Sequence, residues 1–484
     1  MTGKVYKASL LGLAGLLLAG VFLVQCDLNR QRADPAQGWT RTAPLENAPP
    51  VLAFTTVALG GFRGLIANAL WIRANDLQQE GKHFEQVQLS DWITKLEPTF
   101  VQVWLMQAWN MAYNISVKFT DPEDRWRWVL RGIELLRDDG IRYNPKETLI
   151  YRELAWFFQH KMGQNLDDAH PYYKAVWLRE MTAVLGGGRP NFEELIHPQT
   201  DEARKRAQLL REKYKMDPQA MKAADETYGP LDWRLPEAHA IYWAAVGLEK
   251  SKKKDLSMLR RVIYQSLQMA VMRGRVLAVR ADGRIRFGPN LALVAKANDA
   301  YEKMIAEETE PNQRYAIGQA RRNFLREVVY FFYAYGRDAE AKRWFNKLKQ
   351  AYPDAIPANQ SLEEYGLSKV SEVVEGRDFN RTVTVVAGYL ENSLLALVEG
   401  DDERAANMYL MAQKIRDLYQ QRIRGSEERT ALPPLADIER ALLEDLLDPR
   451  TGLNPEARAV LRAKKNFPAS TNAPPAAAQP ATKP

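Results

Sequence analysis

One spacing of residue types recurs along this chain of 484 residues, and it constrains the fold more than any other feature. A glycine is followed five or six residues later by an alanine, and an aromatic residue comes three or four residues after that alanine. The spacing occurs at Gly336, Ala341 and Phe345, at Gly400, Ala405 and Tyr409, and at Gly163 and Ala169 with Tyr172 or Tyr173. A spacing that returns in this way predicts a fold built from copies of one small unit.

Two prolines and the apolar periodicity define that unit. Pro353 follows Gly336 by 17 residues, and near the N-terminus Pro98 follows Gly81 by the same 17 residues. Apolar residues recur at steps of three and four through most of the chain, which is typical of amphipathic helices. Two short helices cannot bury their apolar faces alone, so we expect neighbouring units to stack and to share one core.

This pattern resembles the tetratricopeptide repeat (TPR), and the chain is similar to a divergent, membrane-anchored bacterial member of that family. In the family, the glycine ends helix A, the alanine and the aromatic residue pack helix B onto it, and the proline ends helix B. The resemblance implies an all-α fold, an α-solenoid of helical hairpins, in which helices A line a concave groove that binds segments of partner proteins. Region 233–310 fits the pattern poorly, and the resemblance is clear over about half of the chain.

Breaks in the helical periodicity divide the chain into seven parts. In order, we predict an anchor, a linker, N-terminal repeats, a charged insertion, degenerate repeats, C-terminal repeats and a disordered tail: 1–26, 27–50, 51–185, 186–232, 233–310, 311–465 and 466–484. The insertion opens with three glycines, but no Lys-Ser/Thr follows them, so a nucleotide-binding loop is not indicated. Strand-like alternation occurs at 276–287, where Asp282 and Gly283 predict the turn of a β-hairpin.

The N-terminus carries an export signal. Lys4 and Lys7 precede an apolar run from Ala8 to Val24, which as a helix would measure about 25 Å, near the lower limit for crossing a membrane. Three interpretations stay open: a retained signal anchor, a lipoprotein modified at the only cysteine, Cys26, or a cleaved signal peptide. We expect the first, with the bulk of the chain in the periplasm because the lysines favour the cytoplasmic side of the inner membrane.

The predicted helices A of the N-terminal repeats carry a set of side chains suited to binding protein. In the register of the repeats, five residues fall on the concave face: Asn75, Trp109, Tyr113, Arg152 and Trp156. Aromatic and arginine side chains are enriched at the centres of protein interfaces. The alternative is that Trp109 and Trp156 pack between neighbouring hairpins, since aromatic residues at helical spacing are usually core residues.

Two polar groups raise the question of catalysis. His160, Asp167, Asp168 and His170 could bind a transition metal, but their spacing lacks a His pair on one helix face. Asp232, Arg234, Glu237 and His239 could do acid–base chemistry, but no nucleophile accompanies them. We therefore expect no enzyme activity, no metal and no cofactor. An envelope hydrolase acting on peptidoglycan, or an accessory factor with a solenoid body, is the alternative.

The charge pattern narrows the choice of partners. The net charge of +7 is spread over 67 basic and 60 acidic residues, whereas nucleic-acid binding concentrates basic residues on one patch. We expect a non-enzymatic scaffold that assembles other cell-envelope proteins, contacts the membrane through its anchor and does not bind nucleic acid. The sequence predicts neither the partner nor the oligomeric state.

Overall fold

A computed structural model describes residues 2–33, 63–164, 166–251, 256–279, 285–335, 337–374, 379–423, 431–449 and 452–466. The described chain is mostly helical and contains one small two-stranded sheet. The prediction of an all-α fold with a single β-hairpin is therefore confirmed. Residues 34–62, Gly336, the predicted Asp282–Gly283 turn and most of the predicted tail lie outside the described residues.

In the first half of the chain, the described residues form ten helices besides π segments and single turns. They are α1 Thr2–Ala33, α2 Arg63–Gln79, α3 His83–Leu96, α4 Val101–Trp109, α5 Pro122–Glu134, α6 Thr148–Trp156, α7 His170–Leu185, α8 Phe192–Ile196, α9 Asp201–Glu212 and α10 Pro218–Tyr228. Helix α1 includes the predicted anchor and continues into the predicted linker, and Cys26 is exposed on it. Among the described residues, no helix is both long and apolar enough to cross a membrane.

Ten more helices and the hairpin complete the described chain. They are α11 Pro236–Lys250, α12 Ser257–Arg273, β1 Arg275–Val279, β2 Ile285–Gly288, a 3₁₀ turn Leu291–Leu293, α13 Val294–Glu307, α14 Pro311–Ala334, α15 Asp338–Ala351, α16 Leu362–Val374, α17 Phe379–Val398, α18 Asp402–Arg422, α19 Leu435–Leu447 and α20 Pro455–Lys465. The strands are antiparallel, with Val276 opposite Phe287 and an irregularity between Val276 and Ala278.

Helices that follow one another in the sequence pack as pairs. Helix α2 packs on α3, α14 on α15 and α17 on α18. The connections within the first and third of these pairs contain Gly81 and Gly400, whose φ angles of 72° and 78° lie in the left-handed region. Glycine adopts that region without the steric cost of a Cβ atom, so it suits the sharp turn between two helices.

The alanines of the repeated spacing are buried where paired helices meet. Ala341 on α15 and Ala405 on α18 are 0% and 3% exposed. The Ser393 hydroxyl of α17 donates a hydrogen bond of 2.7 Å to the carbonyl of Ala405, so α17 and α18 approach closely at that point. Phe345 is buried and Tyr409 is half-buried. A larger residue at either alanine would overfill the space between the helices.

The prolines of the pattern lie just after helices. Pro353 follows the end of α15, and Pro98 lies between α3 and α4. The carbonyl of Pro98 accepts hydrogen bonds from the Trp104 indole at 2.8 Å and from the Asn144 side chain at 2.9 Å. Pro98 therefore ties the connection between two hairpins to Trp104 on the next helix and to Asn144, which lies beyond the end of α5.

Three successive helices end in π-helical segments. Asn110–Ile115 continues α4 and leads into a 3₁₀ turn Ser116–Lys118; Leu135–Gly140 continues α5 and leads into one turn, Ile141–Tyr143; Phe157–Gly163 continues α6. The segments after α4 and α6 contact each other. Such segments are rare, change the direction of the side chains that follow, and frequently occur at functional sites.

The region predicted as a charged insertion, 186–232, contains the short helices α8, α9 and α10. Thr200 caps α9 by accepting a hydrogen bond from the Ala203 amide, and Asp217 caps α10 in the same way. Leu195, Leu210 and Met221 are buried in the cluster of side chains that extends from Trp104 to Tyr365. The charged residues thus cover helices whose apolar faces join the common core.

Candidate partner-binding surface

Four of the five residues predicted for the groove lie together. Trp109 ends α4 and Tyr113 lies in the π segment that continues it, whereas Arg152 and Trp156 lie on α6. One residue that was not predicted for the groove, His160, joins them from the π segment after α6. We call these five residues the aromatic ladder: Trp109, Tyr113, His160, Trp156 and Arg152.

Their rings form one continuous series of contacts. The rings of Trp109 and Tyr113 are stacked, with centroids 4.0 Å apart and planes inclined by 16°. The Tyr113 hydroxyl lies 3.0 Å from Nδ1 of His160. The His160 ring stacks on Trp156 at 4.6 Å and 11°. The guanidinium of Arg152 lies 5.0 Å from the centre of the Trp156 ring, within the range of a cation–π interaction.

The outer end of the ladder is open to solvent. Trp109 is 38% exposed, and no other tryptophan in the described part of the chain is as exposed. Tyr113, Arg152, Trp156 and His160 are half-buried. Exposed aromatic rings in contact with one another form an apolar surface, and polar atoms at its edge can bind the backbone of a partner.

Buried charges lie directly beneath the ladder. Glu153 is buried, and burial raises the pKa of its carboxyl although Arg152 lies 2.6 Å away and acts in the opposite direction. The ammonium of Lys161 lies 4.9 Å from the centre of the Tyr113 ring. Burial raises the pKa of the Tyr113 hydroxyl, and the nearby Glu153 adds to this effect. Tyr113 therefore remains a neutral hydrogen-bonding group at any physiological pH.

Lys161 also connects the ladder to a buried ion-pair cluster. Its ammonium lies 2.5 Å from Asp167, and Arg125 lies 2.7 Å from the other oxygen of the same carboxylate. Burial alone would raise the pKa of Asp167, but the hydrogen bonds from Lys161 and the Ala169 amide bring it below its ordinary value. Replacing one partner of such a buried pair leaves a charge uncompensated, so Lys161, which contacts Tyr113, cannot be removed without destabilising the fold.

Asn75 lies apart from these residues. It is half-buried on α2, which packs on α3, and none of the ring contacts of the ladder includes it. Its neighbour Trp71 instead packs against Phe100, with ring centroids 5.2 Å apart. The predicted surface therefore loses Asn75 and keeps the other four residues.

The side chains of the first polar group considered for catalysis bind different partners instead of one another. His160 belongs to the ladder, Asp167 pairs with Lys161 and Arg125, and His170 lies 3.3 Å from the Lys174 ammonium. Within the described residues, no group of three or more His, Cys, Asp or Glu side chains could hold a metal ion.

The second group is divided between a half-buried ion pair and two residues of the core. Asp232 forms an ion pair with Arg234 at 2.6 Å, and Glu237 lies 3.4 Å from Arg273. His239 is 0% exposed, and its Nε2–H donates a hydrogen bond of 2.9 Å to the Trp233 carbonyl. A buried imidazole held in this way has no route to a substrate in solution.

A local spacing in the sequence could have placed His160 with the predicted groove residues. Arg152, Trp156 and His160 are four residues apart, as are Trp109 and Tyr113. Residues four apart lie one above the other on a helix, so aromatic residues at this spacing can stack. The contact between the two stacks depends on the packing of α4 against α6, for which no local pattern exists.

Comparisons with known proteins add no relative. No protein-family model, no curated protein and no solved structure matches this chain. The basis for a functional assignment is therefore the site itself.

Proposed function

We propose that the protein is a non-enzymatic, membrane-anchored helical scaffold of the TPR type, whose aromatic ladder binds an extended segment of another cell-envelope protein. The observation that carries this proposal is the partial exposure of a connected set of aromatic rings above buried charges. In the tryptophan contacts of the core, around Trp177 and Trp233, the rings are fully buried.

The chemistry of the ladder suits a peptide. Trp109 and Tyr113 provide a flat apolar surface with few rotatable bonds, so little entropy is lost on binding. Arg152 uses one nitrogen on Glu153 and keeps other N–H groups that can donate to peptide carbonyls. The Nδ1 atom of His160 contacts the Tyr113 hydroxyl, so its Nε2 atom is the nitrogen left for a partner. These groups together offer both area and directional hydrogen bonds.

The proposed anchor places this surface outside the cytoplasm. It rests on Lys4, Lys7 and the apolar run from Ala8 to Val24 in the sequence. Alkaline phosphatase fused after residue 60 should be active, because the enzyme needs an oxidising compartment. An active cytoplasmic reporter at the same position, with inactive phosphatase, would refute the placement.

Site-specific photo-crosslinking in cells tests the binding surface. A photoreactive amino acid at position 109 should capture a discrete partner, whereas one at the surface aromatic Tyr315, which is 70% exposed, should not. Arg152→Ala should remove the adduct at position 109 while the protein stays folded at the assay temperature, since an anchor residue typically contributes about 2 kcal/mol or more to binding. Its melting temperature should fall, because the buried Glu153 loses its cation. Equal capture at both positions, or an adduct that survives Arg152→Ala, would contradict the proposal.

A further inference from the structure

A second candidate site lies far from the ladder, in a cleft between the β-hairpin and the C-terminal hairpins. The cavity has a volume of about 480 Å³, within the range of pockets that hold small molecules. Four arginines line it, Arg275, Arg337, Arg343 and Arg404, together with a single carboxylate, Glu340. Such a concentration of guanidinium groups in one concave surface favours an anion.

Two of these arginines are held in fixed positions. Arg404 on α18 forms an ion pair with Glu399, and Arg275 at the start of β1 lies 2.9 Å from the same carboxylate. Arg404 is also 3.6 Å from Asp401, and its side chain is only 12% exposed. These ion pairs offset the charges of Arg275 and Arg404. They also hold that wall of the cleft in a fixed position.

The other two arginines provide the uncompensated charge. Arg337 directly precedes α15 and Arg343 lies on its second turn, and within the described residues neither has a carboxylate within 4.0 Å. The guanidinium of Arg343 lies 5.8 Å from the centre of the Trp344 ring. Glu340, one turn away on the same helix, offsets one of the two charges. An exposed pair of cations beside a rigid wall is arranged to receive an oxyanion rather than to stabilise the fold.

The cleft also has an apolar wall. Leu291, Ala292, Val294 and Ala295 form it from the 3₁₀ turn and α13, and the cleft is further lined by Phe332 and Trp344. Ala292 and Ala295 are exposed. An apolar group could therefore pack against this wall while a charged group contacts the arginines.

We propose that this cleft binds a small organic anion, whose phosphate or carboxylate group contacts Arg337 and Arg343 and whose apolar part packs against the Leu291–Ala295 wall. The planar guanidinium presents paired N–H donors that match both kinds of oxyanion. The cleft shares no residue with the ladder, so the anion and a partner protein would bind at separate sites.

Calorimetric titration of the full chain with four probes tests this inference: phenyl phosphate, phenylacetate, inorganic phosphate and phenyltrimethylammonium. At least one of the two organic anions should bind, more tightly than inorganic phosphate, and the cation should not. The preferred anion identifies the group that the arginines recognise. Equal binding of inorganic phosphate and phenyl phosphate, or no binding of either organic anion at millimolar concentration, would overturn the proposal.

Three variants locate the binding. Arg337→Gln combined with Arg343→Gln should weaken the binding at least tenfold, and neither change disturbs an ion pair. Ala295→Glu places a negative charge on the exposed apolar wall and should have the same effect without altering any arginine. The matched control is Arg211→Gln, an exposed arginine on α9 outside the cleft, which should leave binding unchanged. Parental binding in the double variant and in Ala295→Glu would place the anion elsewhere.

Discussion

Two groups of aromatic residues in this protein both combine tryptophan with histidine, but they differ in how far they are buried. The ladder stacks His160 on Trp156 at 4.6 Å. The second assembly, which we call the buried aromatic cluster, contains Phe158, Trp177, Trp233 and His239. Its histidine lies 5.3 Å from the Phe158 ring and 4.9 Å from the Trp177 ring. Each assembly thus places one imidazole among large aromatic rings.

The difference lies in burial and in the hydrogen bonds that burial requires. His239 is fully buried, so desolvation lowers its pKa to about 4, and it donates from Nε2 to the Trp233 carbonyl. His160 is half-buried, and its pKa is lowered by the same cause and by the charge of Lys161. A buried ring contributes mainly packing energy, whereas a half-exposed ring retains surface for a partner. Residue type alone therefore does not distinguish core from binding surface.

The largest expected difference is between two tryptophans. Trp177→Ala in the buried aromatic cluster should lower the free energy of unfolding by about 3–5 kcal/mol, because a fully buried indole leaves a cavity. Trp109→Ala in the ladder should lower it by less than about 2 kcal/mol, since part of the ring is already in water. Urea unfolding of both variants measures the contrast. Equal losses would mean that Trp109 is a core residue, and the ladder would lose its role.

The next effect is pH-dependent and separates the two histidines. His239 is neutral in the folded state, and its pKa of about 4 lies below the unfolded value of about 6.5. The stability that this group contributes is therefore complete above pH 6.5 and is lost as the pH falls toward 4. At about 1.36 kcal/mol per pKa unit, the loss by pH 5 is about 2 kcal/mol.

His239→Gln removes this titration and keeps a donor for the Trp233 carbonyl. The decrease in stability between pH 7 and pH 5 should therefore be about 2 kcal/mol smaller in this variant than in the parent. His170, whose pKa burial and Lys174 lower to about 4, titrates in both proteins and cancels in the comparison. His160→Gln should reduce the pH dependence less, because His160 is only half-buried. A parental pH profile in His239→Gln would contradict the assigned neutral state.

The smallest expected effect on stability comes from the contact between Tyr113 and His160, which joins the two stacked pairs of the ladder. Tyr113→Phe removes the hydroxyl that lies 3.0 Å from His160 Nδ1 and should cost about 0.5–1.5 kcal/mol of unfolding free energy. With the hydroxyl donating to a neutral imidazole, its loss should also raise the pKa of His160. Titration of His160 by NMR measures this shift. An unchanged pKa would show that the hydroxyl and the imidazole do not interact in solution.

Much of the fold follows from local sequence patterns. Steps of three and four residues predict the helices, Gly81 and Gly400 mark two turns that require a positive φ, and the alternation at 276–287 predicts the hairpin. The four-residue spacings also place Trp109 with Tyr113 and Arg152 with Trp156. These features depend on residues only a few positions apart, so a single sequence contains the information that determines them.

Contacts between distant residues were decided by the tertiary structure alone. The packing of α4 against α6 brings His160 to Tyr113, the core encloses His239, and the arginine cleft joins Arg275 to Arg404. The three π segments likewise have no local sequence pattern that we recognise. The sequence by itself determined that the chain is helical, where two glycine turns lie and where the hairpin forms. The packing of whole helices decides which aromatic and charged side chains are buried and which share a surface. The free energy of that packing depends on several helices together, so it is not a property of any one segment.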